Sequence, residues 1–466
     1  MVSFLGGIFN VPKDKYERLK FILLTVCFSF VIGAYTIAKE LKDSVFVNVV
    51  GADYLASAKF ATIFLLIPAA LFYSKLVDIF RRYQLLIFYT SFYGLILAVF
   101  AIFMGHSTIG LSNTVASPYR LFGWFYYFLL EGFSPFVVGV FWAFANSVAN
   151  PKEARNYYPL MVTGSKIGGI ATALFAWYLL KNMTILSRFG YENLDVFTHQ
   201  ILMAVVSVLL LCVPVILMIL MKVVPGHYLH GYEAVYRLEK EMSKTSKSDT
   251  GMFSGLKMLL ESPYIFGIFA TVFFYETLNV VLNFQRIYLL KSAASSMADL
   301  TASMFWQRFT MHFWGLLLSC LGVQFLLRRF GVRQCLLFIP FLISVLLLFF
   351  IYDYSAASIG YIFVGLGAIN YSFSTPLREA LYIPTVKDMK FKAKAWIDTF
   401  GTKMSKGSGS FFAWISGGAV AGASVLSIYI LFFTGLMSLW FVAAWLLGRR
   451  YDQAIQNNEI IGKDLE

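Results

Sequence analysis

Long apolar stretches that recur along the chain are the feature that most constrains its fold. Trp124–Asn146 is one of them. It is long enough to cross a bilayer as a helix, which takes about 20 residues, and it carries one carboxylate, Glu131. Glu276 repeats this arrangement in the stretch IFATVFFYETLNVVLNF. An ionised group at membrane depth costs at least ~2.5–3.5 kcal/mol, so such groups are paired or line a wet cavity. Two isolated glutamates therefore predict a polar site inside a membrane protein.

Composition supports an integral membrane protein. The 466 residues are 59% hydrophobic and only 14% charged, with a mean hydropathy of +0.71. Soluble globular proteins have roughly 25% charged residues. At roughly 35 residues for a helix and its loop, the length predicts about 12 spans. The four cysteines lie in or beside apolar stretches, and we interpret them as small buried hydrophobic residues. The net charge of +13 comes from loops, which argues against nucleic-acid binding.

A long polar segment divides the chain. The sequence predicts a six-helix bundle over residues 1–222, a cytoplasmic central loop over 223–263, and a second six-helix bundle with a short tail over 264–466. The loop contains YEAVYRLEKEM, a predicted short surface helix. The basic turn in LVDIFRRYQLLIFY is echoed by LLRRFGVRQCLLFI in the second half. We therefore predict an all-α integral membrane protein with about 12 transmembrane helices in two six-helix halves. This is the plan of the major facilitator superfamily, in which the site lies between the halves at mid-membrane.

Basic loops predict the orientation. Lysine and arginine accumulate in the N-terminal tail, the two basic turns, the central segment, the loop Lys387–Lys394 and the C-terminal tail. Twelve spans would put all of these on one side, and the positive side of a membrane protein faces the cytoplasm. Both termini are therefore predicted to be cytoplasmic.

Cations also occur in or near the spans, and they outnumber the carboxylates there. They are Lys42, Lys166, Arg286, Arg308, Arg378, Lys403 and Lys406. Lysine and arginine near a helix end can snorkel to the headgroups, and Arg286 and Lys42 lie nearest to ends. The excess of cations favours an anionic substrate with phosphates or carboxylates. Hydropathy fades before Lys42, so two readings stay open: the first helix continues to about Val50, or Lys42 lies in an outer loop.

Enzyme motifs are lacking in the sequence. SKGSGS (Ser405–Ser410) does not match the phosphate-binding pattern GxxxxGK[ST], and neither HExxH nor GxSxG occurs. We therefore predict a protein that is not an enzyme and needs no cofactor. Among the histidines, we expect only His312 to lie within a span, either as a buried structural histidine or as a proton-coupling group. The aromatic residues around Glu131 and around Asn370-Tyr371 could stack on a ring of the substrate or simply face lipid.

Several patches of the sequence resemble the ATP/ADP translocases of obligate intracellular bacteria and plastids. The resemblance extends from about Leu19 to Arg450, and its best patches are KELKDSVFV, LEGFSPFVVGVFWAFAN, FFYETLNVVLNFQRIYLL and LREALYIPTVKDMKFKAKAWID followed by MSKGSG. That family relies on four intramembrane charges, a lysine in the first span, glutamates in the fourth and seventh, and a lysine in the eleventh. The resemblance places these on Lys42, Glu131, Glu276 and Lys406.

The resemblance implies a substrate site with these four residues at its centre. Five further residues are candidates for the site: Arg378, Arg308, Lys166, Asn283 and Tyr371. There are departures, because Lys39-Glu40 replaces an Arg-Asp pair and Arg378-Glu379 replaces Lys-Glu, while Lys166 and Arg308 are additions. Guanidinium and ammonium are not equivalent phosphate ligands, so these changes bear on which nucleotide is carried.

The resulting hypothesis is a multi-pass transporter in the inner membrane of a bacterium. Its partners would be ATP, ADP and the lipid bilayer, and a monomer would be sufficient. It would exchange ATP for ADP by alternating access of the two bundles. Other hypotheses of the same fold are a nucleotide–proton symporter, a nucleotide sugar carrier and a dicarboxylate carrier. A non-transporting membrane scaffold is the alternative from another class, supported only by the polar central segment.

Overall fold

A computed structural model describes residues 14–149, 151–229, 254–321, 323–386, 389, 393–416 and 423–462. Across these ranges the regular structure is helical, and the only pairing of extended backbone is an isolated bridge between Thr385 and Ile461. The predicted surface helix YEAVYRLEKEM and most of the loop Lys387–Lys394 lie outside the described residues. The predicted boundaries at residues 222 and 264 stay predictions.

Sixteen helices follow one another in the described ranges. They are α1 (Lys15–Val49), α2 (Leu55–Ile79), α3 (Arg82–Met104), α4 (Leu121–Glu131), α5 (Gly139–Val148), α6 (Pro151–Lys181), α7 (Leu194–Val223), α8 (Ser254–Glu261), α9 (Pro263–Ala293), α10 (Met297–Leu321), α11 (Val323–Tyr352), α12 (Ala356–Ile369), α13 (Thr375–Leu381), α14 (Lys394–Trp396), α15 (Thr402–Ile415) and α16 (Ala423–Gln456). Single π-helical turns occupy Ser134–Val138, Asn370–Ser374 and Ile397–Gly401.

Many of these helices are long and apolar enough to cross a membrane. Within the described residues, eight stretches meet this requirement, and a ninth is added if the bent pair Met161–Lys181 and Met183–Phe189 is one span. The α4 and α5 helices form one such stretch with the π turn that joins them. The chain is therefore a multi-pass membrane protein of all-α architecture. The count of twelve spans stays a prediction.

The first helix is longer than hydropathy alone indicates. Of the two readings for Lys42, the structure supports the first, because α1 continues to Val49. It ends where Gly51 adopts a positive φ of 126°, a conformation that glycine reaches without steric cost. Lys42 therefore lies in the last turns of α1, and its side chain is buried.

Both predicted basic turns are points where helices break. Phe80 and Arg81 separate α2 from α3, and the backbone N–H of Arg81 donates to the side chain of Gln84 at 2.9 Å. In the second half, α11 is interrupted at Gly331, whose φ of 76° is not helical.

The described residues divide into two compact units. Unit 1 draws on Met1–Tyr54, Phe64–Ser248 and Ala294–Phe309. In unit 1, α1 packs along α6, and the sequence GSKIGG supplies the close contact. A Cβ atom on Gly168 would lie 2.4 Å from the carbonyl oxygen of Ser29, and one on Gly164 would lie 2.2 Å from the Thr25 side chain. Small residues let membrane helices approach this closely.

Unit 2 draws on Leu55–Ile63, Asp249–Ala293 and Thr310–Glu466. Its core is a continuous apolar cluster built mainly from α9, α11, α12 and α16. Here α15 packs along α9 through SKGSGS. A Cβ atom on Gly409 would lie 2.7 Å from the carbonyl oxygen of Thr277, and the Thr277 hydroxyl donates to the Ser405 carbonyl at 3.1 Å. The motif that resembles a phosphate loop is therefore a helix-packing surface.

Candidate functional site

A lysine–glutamate pair lies in unit 1. The ammonium of Lys42, on α1, donates to Oε2 of Glu131, the last residue of α4. It also lies 3.4 Å from the Asp43 carboxylate and 4.5 Å from the centre of the Tyr127 ring. The Lys42 side chain is 8% exposed and that of Glu131 is 26% exposed. The cation is thus held by two carboxylates and one aromatic face, away from bulk water.

The backbone around Glu131 is interrupted on its C-terminal side. Pro135 has no N–H, so it cannot donate to the carbonyl of Glu131 four residues earlier. The chain passes through a π turn at Ser134–Val138 before α5 begins. Such turns in membrane helices recur at functional sites because they free backbone groups and redirect side chains.

A second lysine–glutamate pair lies in unit 2. Nζ of Lys406, on α15, lies 3.8 Å from Oε2 of Glu276, on α9. This distance allows an ion pair but exceeds hydrogen-bond length. The Lys406 side chain is 46% exposed and that of Glu276 is 19% exposed. The packing of Gly409 and Ser405 against Thr277, the neighbour of Glu276, sets this arrangement. Lys406 is consequently the more accessible of the two lysines.

Arg308 has a partner that the sequence did not indicate. Its Nε donates to Oε1 of Glu40 at 2.6 Å, and its Nη2 donates to the same oxygen. Both side chains are buried. Glu40 belongs to α1 and Arg308 to α10, and both lie in unit 1. Glu40, from the departure Lys39-Glu40, and the additional Arg308 are therefore partners in one ion pair.

Arg378 lies on a cavity within unit 2. The cavity has an empty volume of about 410 Å³, and its polar lining includes Tyr275, Asn370, Ser374 and Arg378. Oγ of Ser374 is buried and has no hydrogen-bond partner among the described residues. The neighbouring Glu379 is held by Lys394, whose ammonium donates to both of its carboxylate oxygens at 2.7 and 2.6 Å.

The other candidates have varied surroundings. Lys166 is partly buried in α6 of unit 1. In unit 2, Asn283 accepts a hydrogen bond from Nη1 of Arg286 at 3.2 Å. Tyr371 is partly exposed, and its ring lies 6.1 Å from that of His312.

Three features of the site were missed or misjudged from the sequence. Arg286 is completely buried, with its guanidinium carbon 3.7 Å from the centre of the Phe363 ring, so it does not snorkel. The prediction that only His312 lies within a span was wrong, because His199 is buried inside α7. Glu40 was noted only as a departure. Its position two residues before Lys42 was the available signal, but an isolated sequence does not reveal its partner.

The aromatic residues beside Glu131 have distinct environments. Tyr126 and Tyr127 are fully buried, whereas Phe125 is exposed. The indole N–H of Trp124 donates to the carbonyl of Pro118 at 2.9 Å. The four aromatic residues therefore do not share one role, either stacking on the substrate or facing lipid. Tyr126 and Tyr127 belong to the interior of unit 1, and Tyr127 faces the Lys42 ammonium.

Comparisons with known proteins give the family and the fold of the chain. The ADP,ATP carrier protein 3 of Rickettsia bellii is 24% identical over 503 residues, covering 95% of this chain and 96% of the relative. Among solved structures, a D-xylose-proton symporter superposes with a TM-score of 0.60 at 12% identity, covering 93% of this chain and 97% of its own. A bacterial homologue of the lysosomal transporter Spinster, in an inward-facing conformation, gives a TM-score of 0.56 at 16% identity, covering 95% and 99%. These structural similarities concern the fold alone.

A family model, described as TLC ATP/ADP transporter, matches residues 6–451, which is nearly the whole sequence. The chain therefore belongs to the TLC ATP/ADP transporter family.

Proposed function

We propose that this protein is a membrane nucleotide transporter that exchanges ATP for ADP by alternating access. The observation that carries the proposal is the presence of one lysine–glutamate pair in each unit, Lys42–Glu131 and Lys406–Glu276. Intramembrane ionisable residues mark substrate and ion pathways because their burial is otherwise unfavourable. Membership of the TLC ATP/ADP transporter family supports a nucleotide as the substrate.

The two lysines act as phosphate ligands in this proposal. An ammonium binds phosphate as a compact point charge with three donors. In the absence of nucleotide, Glu131 and Glu276 provide the negative charge that each lysine requires. Lys406 can accept a phosphate without breaking a hydrogen bond to Glu276, since that carboxylate lies 3.8 Å away. Lys42 must exchange a hydrogen-bonded carboxylate for the phosphate.

Exchange follows from the electrostatics of these pairs. Removing one partner of a buried ion pair costs about 3–5 kcal/mol, because the remaining charge is uncompensated. A carrier that releases one nucleotide must restore its carboxylate contacts or bind another nucleotide before it reorients. In this proposal the counter-substrate speeds reorientation, so transport is trans-stimulated.

The remaining polar candidates extend the site. Arg378 is suited to a phosphate because a guanidinium can donate two parallel hydrogen bonds, and its cavity also presents Asn370. Lys166 supplies further positive charge in unit 1, whereas the guanidinium of Arg308 is neutralised by Glu40. Asn283 and Tyr371 offer hydrogen-bond and ring contacts for the ribose or base.

The proposed location is the inner membrane of a bacterium, with both termini in the cytoplasm. The basic turns at Arg81-Arg82 and Arg329, and the basic tail at Arg449-Arg450, fit that orientation. A monomer is sufficient, since each lysine–glutamate pair is formed within one chain.

The test is competition for uptake of labelled ATP by intact cells that express the protein. We expect unlabelled ADP and ATP to compete, and we expect adenosine, a dicarboxylate and a nucleotide sugar to have little effect. Competition by the dicarboxylate or nucleotide sugar, but not by ADP, would assign the fold to another anion. A correctly inserted protein without any anion uptake, whose Glu131→Gln and Glu276→Gln variants behave normally, would instead support a scaffold.

A further inference from the structure

Residues 294–309, here called the docked segment, are held on unit 1 although they follow α9 in the chain. They comprise the start of α10, whose remaining residues from Thr310 onward belong to unit 2. The α10 helix is thus divided between the two compact units. Polar contacts with α1, α6 and α7 hold its first part in unit 1.

The docked segment presents a broad buried face. Its buried residues are Ala298, Leu300, Thr301, Ala302, Met304, Phe305, Gln307 and Arg308. At 3.6 residues per turn these positions cover more than half of the helix circumference. By contrast, Trp306 is exposed. This face is therefore the packing surface of the segment.

Three polar contacts hold the N-terminal part of the docked segment. Oδ2 of Asp195 accepts from the backbone N–H of Ala298 at 3.1 Å, so a carboxylate of α7 occupies the N-terminus of α10. Nε2 of His199 and Oγ1 of Thr301 are 3.0 Å apart. At an exposed position, Nζ of Lys181 donates to Oδ1 of Asp299 at 2.8 Å.

The C-terminal end of the docked segment is held by the contact between Glu40 and Arg308. This is the buried ion pair of the docked segment, and two N–H groups of one guanidinium converge on a single carboxylate oxygen. Charge-assisted bonds of this kind are strong, and the pair is buried, so water cannot readily replace either partner. The contact therefore fixes the fourth turn of α10 to α1.

Glu40 also lies two residues from Lys42 on α1. At 3.6 residues per turn, these side chains leave the helix in directions about 160° apart. Lys42 faces Glu131, and Glu40 faces Arg308. A change of partner at Lys42 and a change of partner at Arg308 consequently act on the same turn of α1.

We propose that Glu40 is a positioning residue that, through Arg308, latches the docked segment to unit 1, and that this latch opens during each transport cycle. The pair is a conformational control on reorientation. Its carboxylate is not a ligand of the nucleotide. The role in the cycle rests on the proposed function, whereas the structural part of the latch does not depend on which substrate is carried.

Hydrogen exchange of the full-length protein without nucleotide tests the latch itself. Glu40→Gln and Arg308→Met should each speed exchange of the amides in the docked segment about tenfold, and the double variant should add nothing further. Arg308→Lys, which keeps the charge but not the fork, should give an intermediate rate. Glu459→Gln is the matched control, because Glu459 pairs with Arg450 at a largely exposed position. Rates within twofold of wild type in Glu40→Gln, or effects that multiply in the double variant, would overturn the proposal.

Transport assays in proteoliposomes test the role in the cycle. Without the latch, the empty carrier reorients more easily, so Glu40→Gln should reduce the ratio of trans-stimulated uptake to net uptake severalfold. Faster hydrogen exchange with an unchanged ratio would make the pair structural only and overturn the latch. If Glu40→Gln does not fold, Arg308→Lys supplies the same comparison. Absence of nucleotide transport by the wild type would contradict the proposed function but leave the hydrogen-exchange result to decide on the ion pair.

Discussion

The two lysines of the candidate site should differ sharply in what their removal does to stability. Lys42 is almost completely buried and hydrogen-bonded to Glu131, whereas Lys406 is half exposed and 3.8 Å from Glu276. We expect Lys42→Met to destabilise the protein by about 3 kcal/mol, the lower end of the range for breaking a buried pair, because Glu131 keeps some exposure. Lys406→Met should cost less, about 1 kcal/mol, the upper end for exposed ion pairs, because the lysine is half exposed but the carboxylate that it leaves is only 19% exposed.

Both variants should nevertheless lose trans-stimulated exchange, because each removes a proposed phosphate ligand. Stability can be measured by unfolding in mixed micelles, followed through the fluorescence of the nine tryptophans. Exchange can be measured in proteoliposomes with labelled ATP outside and ADP inside. A further variant, Lys42→Met with Glu131→Gln, should recover part of the stability but none of the exchange, since it removes one of the two carboxylates that Lys42 neutralises, leaves Asp43, and restores no cation.

Three results would contradict these roles of Lys42 and Lys406. Equal losses of stability in Lys42→Met and Lys406→Met would show that the difference in burial and bonding does not control the energetics. Normal exchange in Lys406→Met would remove Lys406 from the site. Recovery of exchange in the double variant would mean that Lys42 serves only to neutralise Glu131.

Two other predictions concern packing and pH. Gly409→Ala should separate α15 from α9 and reduce exchange, with a stability loss of ~1–3 kcal/mol for overpacking, because the new Cβ would lie 2.7 Å from the Thr277 carbonyl. Gly435→Ala is its control, since nothing lies within 4 Å of that position, and equal effects of the two changes would refute the packing argument. The hydrogen bond from Lys181 lowers the pKa of Asp299, so this pair stabilises the fold above the usual carboxyl range and stops doing so as pH falls through the lowered pKa. Unfolding measured from neutral to acid pH should therefore show an acid-side loss that is smaller in Asp299→Asn, and an identical profile would contradict it.

The helical membrane architecture could be predicted from the sequence because it depends on local composition. Apolar stretches of sufficient length specify helices, and an isolated Glu131 or Glu276 within them indicates a polar interior. The basic turns were predictable for the same reason, since charged residues and Gly331 interrupt otherwise apolar helices.

The partners of the charged residues could not be predicted in this way. Lys42 and Glu131 are 89 positions apart, and Glu40 and Arg308 are 268 positions apart. Hydropathy also underestimated α1, because Lys39, Glu40, Lys42 and Asp43 lower the local average even though tertiary pairing keeps several of them buried. The burial of His199 was not predicted for the same reason. A hydropathy scale counts a buried histidine as unfavourable, but hydrogen bonds in unit 1 satisfy both of its ring nitrogens.

Nucleotide exchange can be measured as uptake of labelled ATP with and without preloaded ADP. Proteoliposomes that contain the purified protein allow both conditions, with an imposed inward proton gradient and a proton uncoupler added in parallel. We predict that uptake rises with internal ADP and is unaffected by the uncoupler. Uptake that is indifferent to internal ADP and abolished by the uncoupler would contradict exchange and identify a nucleotide–proton symporter of the same fold.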